Sequence, residues 1–516
     1  MSLLPEPLGQ ESTRWGRRPS WLACLVGLLL FSALPSVAHV ASPHIVFQGR
    51  AGVFPVTVVV RQPDVVPGLV EIHIRVLEGT PERVTALAMH SSTGRKGAPR
   101  PDVAHLVPGE TNLYTAQLWF MTRGAYAVEV AIEGPRGGTL VVPVNSVALE
   151  RRPMPLWLAA IASVLLICLA VGVIAICVAA ARESTRSFSD SVASSGQRQR
   201  LRSWAGGALG LAIVVGAVFG ARLWWNYEDT LHQSKVLFRP LQHSVRVSTN
   251  AEASRLTLEL TDSRMSNRSY RLLPDHGKWV HLFLVGEGET PAFAHLHPVR
   301  DEGSQTYHSV LPPLPAGGYR VFADLTHEQG LTQTLTNRIE IAAVPGTGEA
   351  FSDPDDSWSA GQKASAEASR IGMDLRMTLN PSAAPRVGRP VDLEASVMTD
   401  SGAAVALEPY LRMLGHAVVK RSDGGVFSHV HPAGTLSMAA ARKFASKDGG
   451  EAAAKAIDVV CGDLDALPES EARVLGQLGR VSFPFVFPSA GDYRVWVQVK
   501  VRGAVVSGAF RVRVEE

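Results

Sequence analysis

Two long apolar runs divide this chain and limit what each remaining part can become. Residues 156–181 and 205–225 are each long and apolar enough to span a bilayer as a helix. Between them lie Arg182, Arg186, Arg198, Arg200 and Arg202, so the loop joining the pair is expected in the cytoplasm and everything on either side outside. The spacings Gly206-x-x-x-Gly210 and Gly216-x-x-x-Gly220 would allow close helix packing, and Trp224, Trp225 and Tyr227 suit the membrane–water boundary. Neither span carries an Asp, Glu, His or Lys, which argues against an ion or proton path.

A third run follows Arg14, Arg17 and Arg18 and reads WLACLVGLLLFSALPSVAH. Its basic start, short apolar centre and Ser36-Val37-Ala38 are those of a signal peptide cleaved after Ala38, with an uncleaved signal anchor as the alternative. Cleavage would leave His39 as the amino terminus, where an α-amine, an imidazole and nearby His44 could hold copper. Cys24, Cys168 and Cys177 fall in apolar runs and leave Cys461 alone in the soluble parts, so there is no disulfide framework and no CxxC motif. With a net charge of +3 and 19% charged residues, nothing points to a nucleic-acid surface.

The rest reads as β. Short β-branched runs (VTVVV, EIHIRV, AVEVAI) broken by Gly and Pro recur at the intervals of a sandwich. Three landmarks, LWFMTRGAYAV, LPPLPAGGYRV and FVFPSAGDYRV, place Tyr126, Tyr319 and Tyr493 at the entry of a late strand, where immunoglobulin-like sandwiches carry a corner tyrosine. The expected fold is mainly β: three immunoglobulin-like β-sandwich domains, a two-helix transmembrane hairpin and an N-terminal signal segment. The boundaries are 1–38 for the signal, 39–152 for the first sandwich, 155–226 for the hairpin and 235–344 for the second sandwich. A linker at 345–370, rich in Ser, Gly, Asp and Ala, leads to the third sandwich at 371–516, whose insertion at 434–480 is either a helical cap or disordered.

One hairpin is repeated. KWVHLFLVGEGETPAFAHLHP begins at Lys278 and RMLGHAVVKRSDGGVFSHVHP at Arg412, and each closes on Phe-x-His-x-His-Pro. Alternation along a strand puts His295 with His297, and His429 with His431, on one face. A two-residue type I′ turn at Asp423-Gly424 would set Val418 opposite His429 and His416 opposite His431, with Cβ atoms roughly 5 Å apart. In the first copy a bulged three-residue loop, Gly288-Glu289-Thr290, would bring His281 opposite His297. Each hairpin would then gather three imidazoles: His281, His295 and His297 in one, and His416, His429 and His431 in the other. Imidazoles suit copper or zinc, and Met413 and Met438 would add soft ligands favouring copper. The plainer alternative is a histidine pair tolerated at the end of a strand.

No blue-copper thiolate site, zincin spacing, nucleophile elbow, P-loop or dinucleotide fingerprint is present, so catalysis is not expected. Over Phe293-Ala-His-Leu-His-Pro298, Gly318-Tyr-Arg-Val-Phe-Ala-Asp324 and Phe427-Ser-His-Val-His-Pro432, the chain resembles bacterial secreted and membrane-anchored proteins with YtkA-like immunoglobulin-like domains. More loosely it is similar to copper-handling sandwiches of the CopC kind. The resemblance covers 236–344 and 373–516. It implies domains outside a bacterial cytoplasmic membrane, a role in copper or other heavy-metal handling, and a metal ion and another envelope protein as partners. The rival expectation is a non-catalytic interaction scaffold of the cell envelope, without metal.

Overall fold

The computed structural model describes residues 44–63, 65–147, 154–183, 196–235, 237–249, 253–342 and 353–516. The signal segment and His39 lie outside them, as does most of the inter-helix loop. Among the described residues the chain is mainly β, with six antiparallel sheets that pack in three pairs. Within each pair, alternate apolar side chains from both sheets fill one layer. Val56, Val58 and Val60 meet Val128, Val130 and Ile132 in the first, and Leu282 and Leu284 meet Leu256 and Leu258 in the second. In the third, Ala417 and Val419 meet Leu393 and Phe483.

The three tyrosines occupy matching places. Each enters a strand (Gly124–Glu133, Gly317–His327 or Gly491–Val501) that runs between two neighbours in its sheet. Each hydroxyl reaches back four residues. Tyr319 donates to the Pro315 carbonyl at 2.7 Å and Tyr493 to that of Ser489 at 2.8 Å. Tyr126 accepts from the Thr122 amide at 3.3 Å.

Two helices, α1 (Leu156–Glu183) and α2 (Gly196–Lys235), are long and apolar enough to cross a membrane. They approach each other closely at the first glycine pair. A Cβ on Gly206 would lie 2.6 Å from the Cys177 carbonyl oxygen, and one on Gly210 2.8 Å from the Ile174 Cα. Gly216 and Gly220 face open space, so the second glycine spacing is not used in this way.

The region 434–480 folds as helix α3 (Met438–Val460), capped by Ser437 and broken at Gly450, followed by helix α4 (Glu469–Gln477). Met438, Ala441, Ala445, Ile457 and Cys461 pack into the apolar cluster of the first sandwich. The chain just before α3 is bonded to that sandwich's first strand, Gln48 N to Ala433 O at 2.8 Å and Thr435 N to Val46 O at 2.9 Å. The segment expected to be a flexible linker is built into the fold from Asp353 onward. Ser357–Ser359 pairs with Phe293–Leu296, and Ala368–Arg370 pairs with Leu375–Pro381. Its small polar residues suit an edge strand as well as a tether, and composition alone does not separate the two.

The second and third sandwiches meet sheet against sheet. Phe283, Val285, Phe293 and Phe322 from one side bury against Val418, Phe427 and Trp496 from the other. Phe322 stacks on Phe427 with ring centroids 3.9 Å apart, and Phe293 on Trp496 at 4.9 Å. Around these residues both faces of the two sheets are therefore buried: one serves its own sandwich and the other the neighbouring sandwich.

Candidate metal centre

Both repeated hairpins lie in the facing sheets. The first joins His281–Gly286 to Phe293–Leu296, and the second joins His416–Arg421 to Phe427–Val430. Phe283 opposes His295 and Leu282 opposes Leu296, so the register continues to His281 opposite His297. Val418 opposes His429 and Ala417 opposes Val430, which continues to His416 opposite His431. The connections differ from the expected ones. Gly286 N bonds Ala292 O, leaving a five-residue loop in place of three. Arg421 N bonds Val426 O, and in Asp423-Gly424 only Gly424 has positive φ, so the turn is not type I′. Asp423 instead accepts the Gly425 amide, which holds a four-residue loop. The register survives because both lengths preserve strand parity.

Alternation sends Leu282, Leu284, Ala417 and Val419 into their own cores and turns His281, His295, His297, His416, His429 and His431 toward the opposite sandwich. The phenylalanine of Phe-x-His-x-His-Pro shares that face and seals the layer beside the histidines. The two triples form one layer. Ring centroids of His281 and His429 are 5.2 Å apart, and those of His295 and His429 5.5 Å.

The ligand sets therefore regroup across the boundary. His276, His416 and His431 place one nitrogen each within 4.8 Å of one another, as do His281, His295 and His429. A third group joins His297 to Asp353 and Asp356. His276 enters because Asp275 and Lys278 bond each other across a tight turn in which His276 has φ +50° and Gly277 +80°. The sequence signal for it was a histidine–glycine pair whose histidine lies five residues ahead of the hairpin histidine, a place that strand reasoning does not address.

Five of the seven histidines are held through one nitrogen. His297 Nδ1 lies 3.0 Å from Asp356 Oδ1 and His429 Nδ1 3.5 Å from Asp324 Oδ2. His431 Nδ1 faces the Leu436 carbonyl at 3.0 Å, His295 Nδ1 faces Gln498 Oε1 at 2.9 Å, and His281 Nε2 faces the Asp275 carbonyl at 3.1 Å. Nε2 of His297, His429 and His431 has no hydrogen-bond partner, nor has either nitrogen of His276 or His416. His281 Nδ1 and His295 Nε2 point at each other, 3.2 Å apart. Two nitrogens bound at about 2.0 Å to one tetrahedral ion would be separated by roughly 3.3 Å. Histidines tied through one nitrogen to a carboxylate, carbonyl or amide, with the other presented inward, have the arrangement of metal ligands and their outer supports.

Burial keeps the rings neutral. It lowers His281 to about 4 and His276 to about 3, and puts His295, His297, His416 and His429 well below the usual imidazole range. Neutral imidazole is the form that coordinates metal. Burial also pushes the carboxyls of Asp324 and Asp356 up to about 7. In the metal-free protein, unpartnered inner nitrogens in a dry layer are costly, at about 1–3 kcal/mol for each unsatisfied group. The residues present therefore fit a bound transition-metal ion.

Met413 and Met438 are buried in the apolar cluster of the first sandwich, where they pack with Ile457 and Cys461. His308 bonds Asp301 and Thr257 on another sheet. His327 is buried with Nδ1 on the Tyr270 carbonyl and Nε2 on Gln333.

Residues 370–516 match the family described as Domain of unknown function (DUF8832). No curated protein matches the sequence. Solved structures that it matches include the tetra-tandem repeat in the extending region of a large adhesion protein, at 11% identity. That match covers 87% of this chain and 71% of the other, with a TM-score of 0.15. Dimeric latent PorU from Porphyromonas gingivalis matches at 7% identity over 92% of this chain and 34% of that one, TM-score 0.14. The BSP domain of a biofilm-associated protein matches at 9% identity over 95% and 70%, TM-score 0.14.

Proposed function

We propose that this chain is a membrane-anchored metal-binding protein, with copper as the preferred ion and zinc as the nearest competitor, and that it holds or passes metal outside a bacterial cytoplasmic membrane. The observation that carries the reading is the layer of seven buried histidines, five of them held through one nitrogen, which brings together two sets of three imidazole nitrogens. An imidazole set without thiolate suits both ions, and a given nitrogen site binds divalent copper more tightly than zinc. The arginines between the two apolar helices support a cytoplasmic connecting loop with the sandwiches on the other side. The sheet orders and the three corner tyrosines support an immunoglobulin-like topology, and with the Phe-x-His-x-His-Pro repeats they support kinship with YtkA-like and, more loosely, CopC-type domains.

The test is titration of the full chain in detergent with Cu(II) and Zn(II), beside the double variant His429→Ala/His431→Ala. Tight binding by the parent that is lost in the variant is expected. Equal, weak binding by both would remove the reading.

A further inference from the structure

We propose that the histidine layer holds two metal ions at once, as a pair shared between the second and third sandwiches. The inference rests on the metal-binding reading above and adds stoichiometry and placement to it.

The two tri-imidazole sets have no residue in common. One is His276 with His416 and His431, the other His281 and His295 with His429. Each takes two ligands from one sandwich and one from the other, so neither set is complete on a single domain. The sets touch: His429 of one lies 4.5 Å from His431 and 5.3 Å from His416 of the other, centroid to centroid. His276 is 6.1 Å from His281. The two sets together offer six imidazoles, more than the four positions of one tetrahedral ion, so a single such ion cannot use both.

Charge is provided for in the same paired way. Asp275 Oδ1 lies 3.8 Å from His276 Nε2 in the first set, and Asp324 Oδ2 lies 3.5 Å from His429 Nδ1 in the second. One carboxylate behind each set offsets the repulsion that two cations in a dry layer would otherwise meet. The third group is a support and not a further site. Lys278 Nζ holds Asp353 at 2.6 Å and Asp355 at 2.9 Å, while Asp356 accepts both the backbone amide and the ring of His297.

The experiment uses the full chain in detergent, loaded with excess Cu(II), desalted, and analysed for copper per chain and by frozen-solution electron paramagnetic resonance. Two ions per chain are expected, with an integrated single-ion Cu(II) signal well below two spins because neighbouring spins couple. His276→Ala and His295→Ala should each drop the count to one and restore an uncoupled one-spin spectrum. Should a variant fail to fold, the parent measurement decides alone. One ion per chain, any count above two, or two ions with independent spins would overturn the pair while leaving metal binding in place. No bound ion would remove both proposals together.

Discussion

In the first hairpin the rings of His295 and His297 lie 4.5 Å apart and those of His281 and His297 5.2 Å; in the second, His429 and His431 lie 4.5 Å apart and His416 and His431 5.1 Å. The remaining pair repeats as well, 5.4 Å for His281–His295 and 5.3 Å for His416–His429. The turn six residues upstream does not repeat in chemistry. Both turns close with reciprocal backbone bonds and two positive-φ residues, but one holds His276-Gly277 and the other Leu411-Arg412. Strand geometry thus produces matched triples wherever the motif occurs, and the seventh histidine belongs to one copy alone.

Acid should break both copies together, and this is the largest effect expected. His276 and His281 titrate at about 3 and about 4 when folded because burial disfavours their charged forms. In the unfolded chain they titrate near the ordinary value of about 6.5. The unfolded chain therefore takes up protons first, and stability present above pH 6.5 is lost as pH falls toward 4. Each such histidine contributes a slope of up to about 1.4 kcal/mol per pH unit. Asp324 and Asp356, raised to about 7 by burial, act in the opposite sense over the same window. Four further lowered histidines outnumber them. Denaturant unfolding of the metal-free protein at pH 7, 6 and 5 should show falling stability, and a flat profile would contradict the buried neutral layer.

Truncating a sealing ring tests whether the two Phe-x-His-x-His-Pro phenylalanines are equivalent. Phe427→Ala removes the stack on Phe322, and Phe293→Ala the stack on Trp496. Each should cost about 3–5 kcal/mol in urea unfolding. A cost confined to one of them would show that the shared layer is carried by one sandwich.

The register of the hairpins was legible because a period of two and a Gly-rich turn constrain it from sequence alone. The facing of His416 with His431 follows from that arithmetic even though the turn type does not, since a four-residue loop and a two-residue loop keep the same parity. The grouping across domains was not legible. Nothing in the residues 278–298 says that their histidine face meets another sheet instead of solvent, although Phe293 and Phe427 on that face were the available hint. Asp324 and Asp356 lie far from the motif in sequence and join it only through tertiary packing. The segment 353–370 reads as a tether by composition, and its pairing depends on an edge that the sequence does not announce.

The carboxylates behind the histidines give a smaller and more selective contrast. Asp324→Asn removes the charge facing His429 Nδ1, and Asp356→Asn the charge facing His297 Nδ1. Loss of such outer partners costs roughly 10–100-fold in metal affinity when the histidine is a ligand. Asp324→Asn should weaken copper binding by that factor in competition with a chromophoric chelator. Asp356→Asn should change it little, because His297 belongs to neither tri-imidazole set. Equal losses would place His297 among the ligands.

Repairing the asymmetry is the subtlest test. Leu411 stands where His276 stands in the other copy: each is the second residue of a four-residue turn and lies five residues before the hairpin histidine. Its φ of +49° is a value that histidine adopts more readily than most residues. The equivalent of His431 in the first copy is His297, whose Nε2 has no partner. Leu411→His should therefore bring an imidazole toward His297 and His281, just as His276 is brought to within 4.8 Å of His431 and 5.4 Å of His416. The new set would borrow His281 from an occupied one, so a further ion should bind more weakly than the first two and appear only at higher free copper. An unchanged copper count at every concentration would mean that the likeness of the two copies stops at the strands, and that His276 owes its place to features of its own turn.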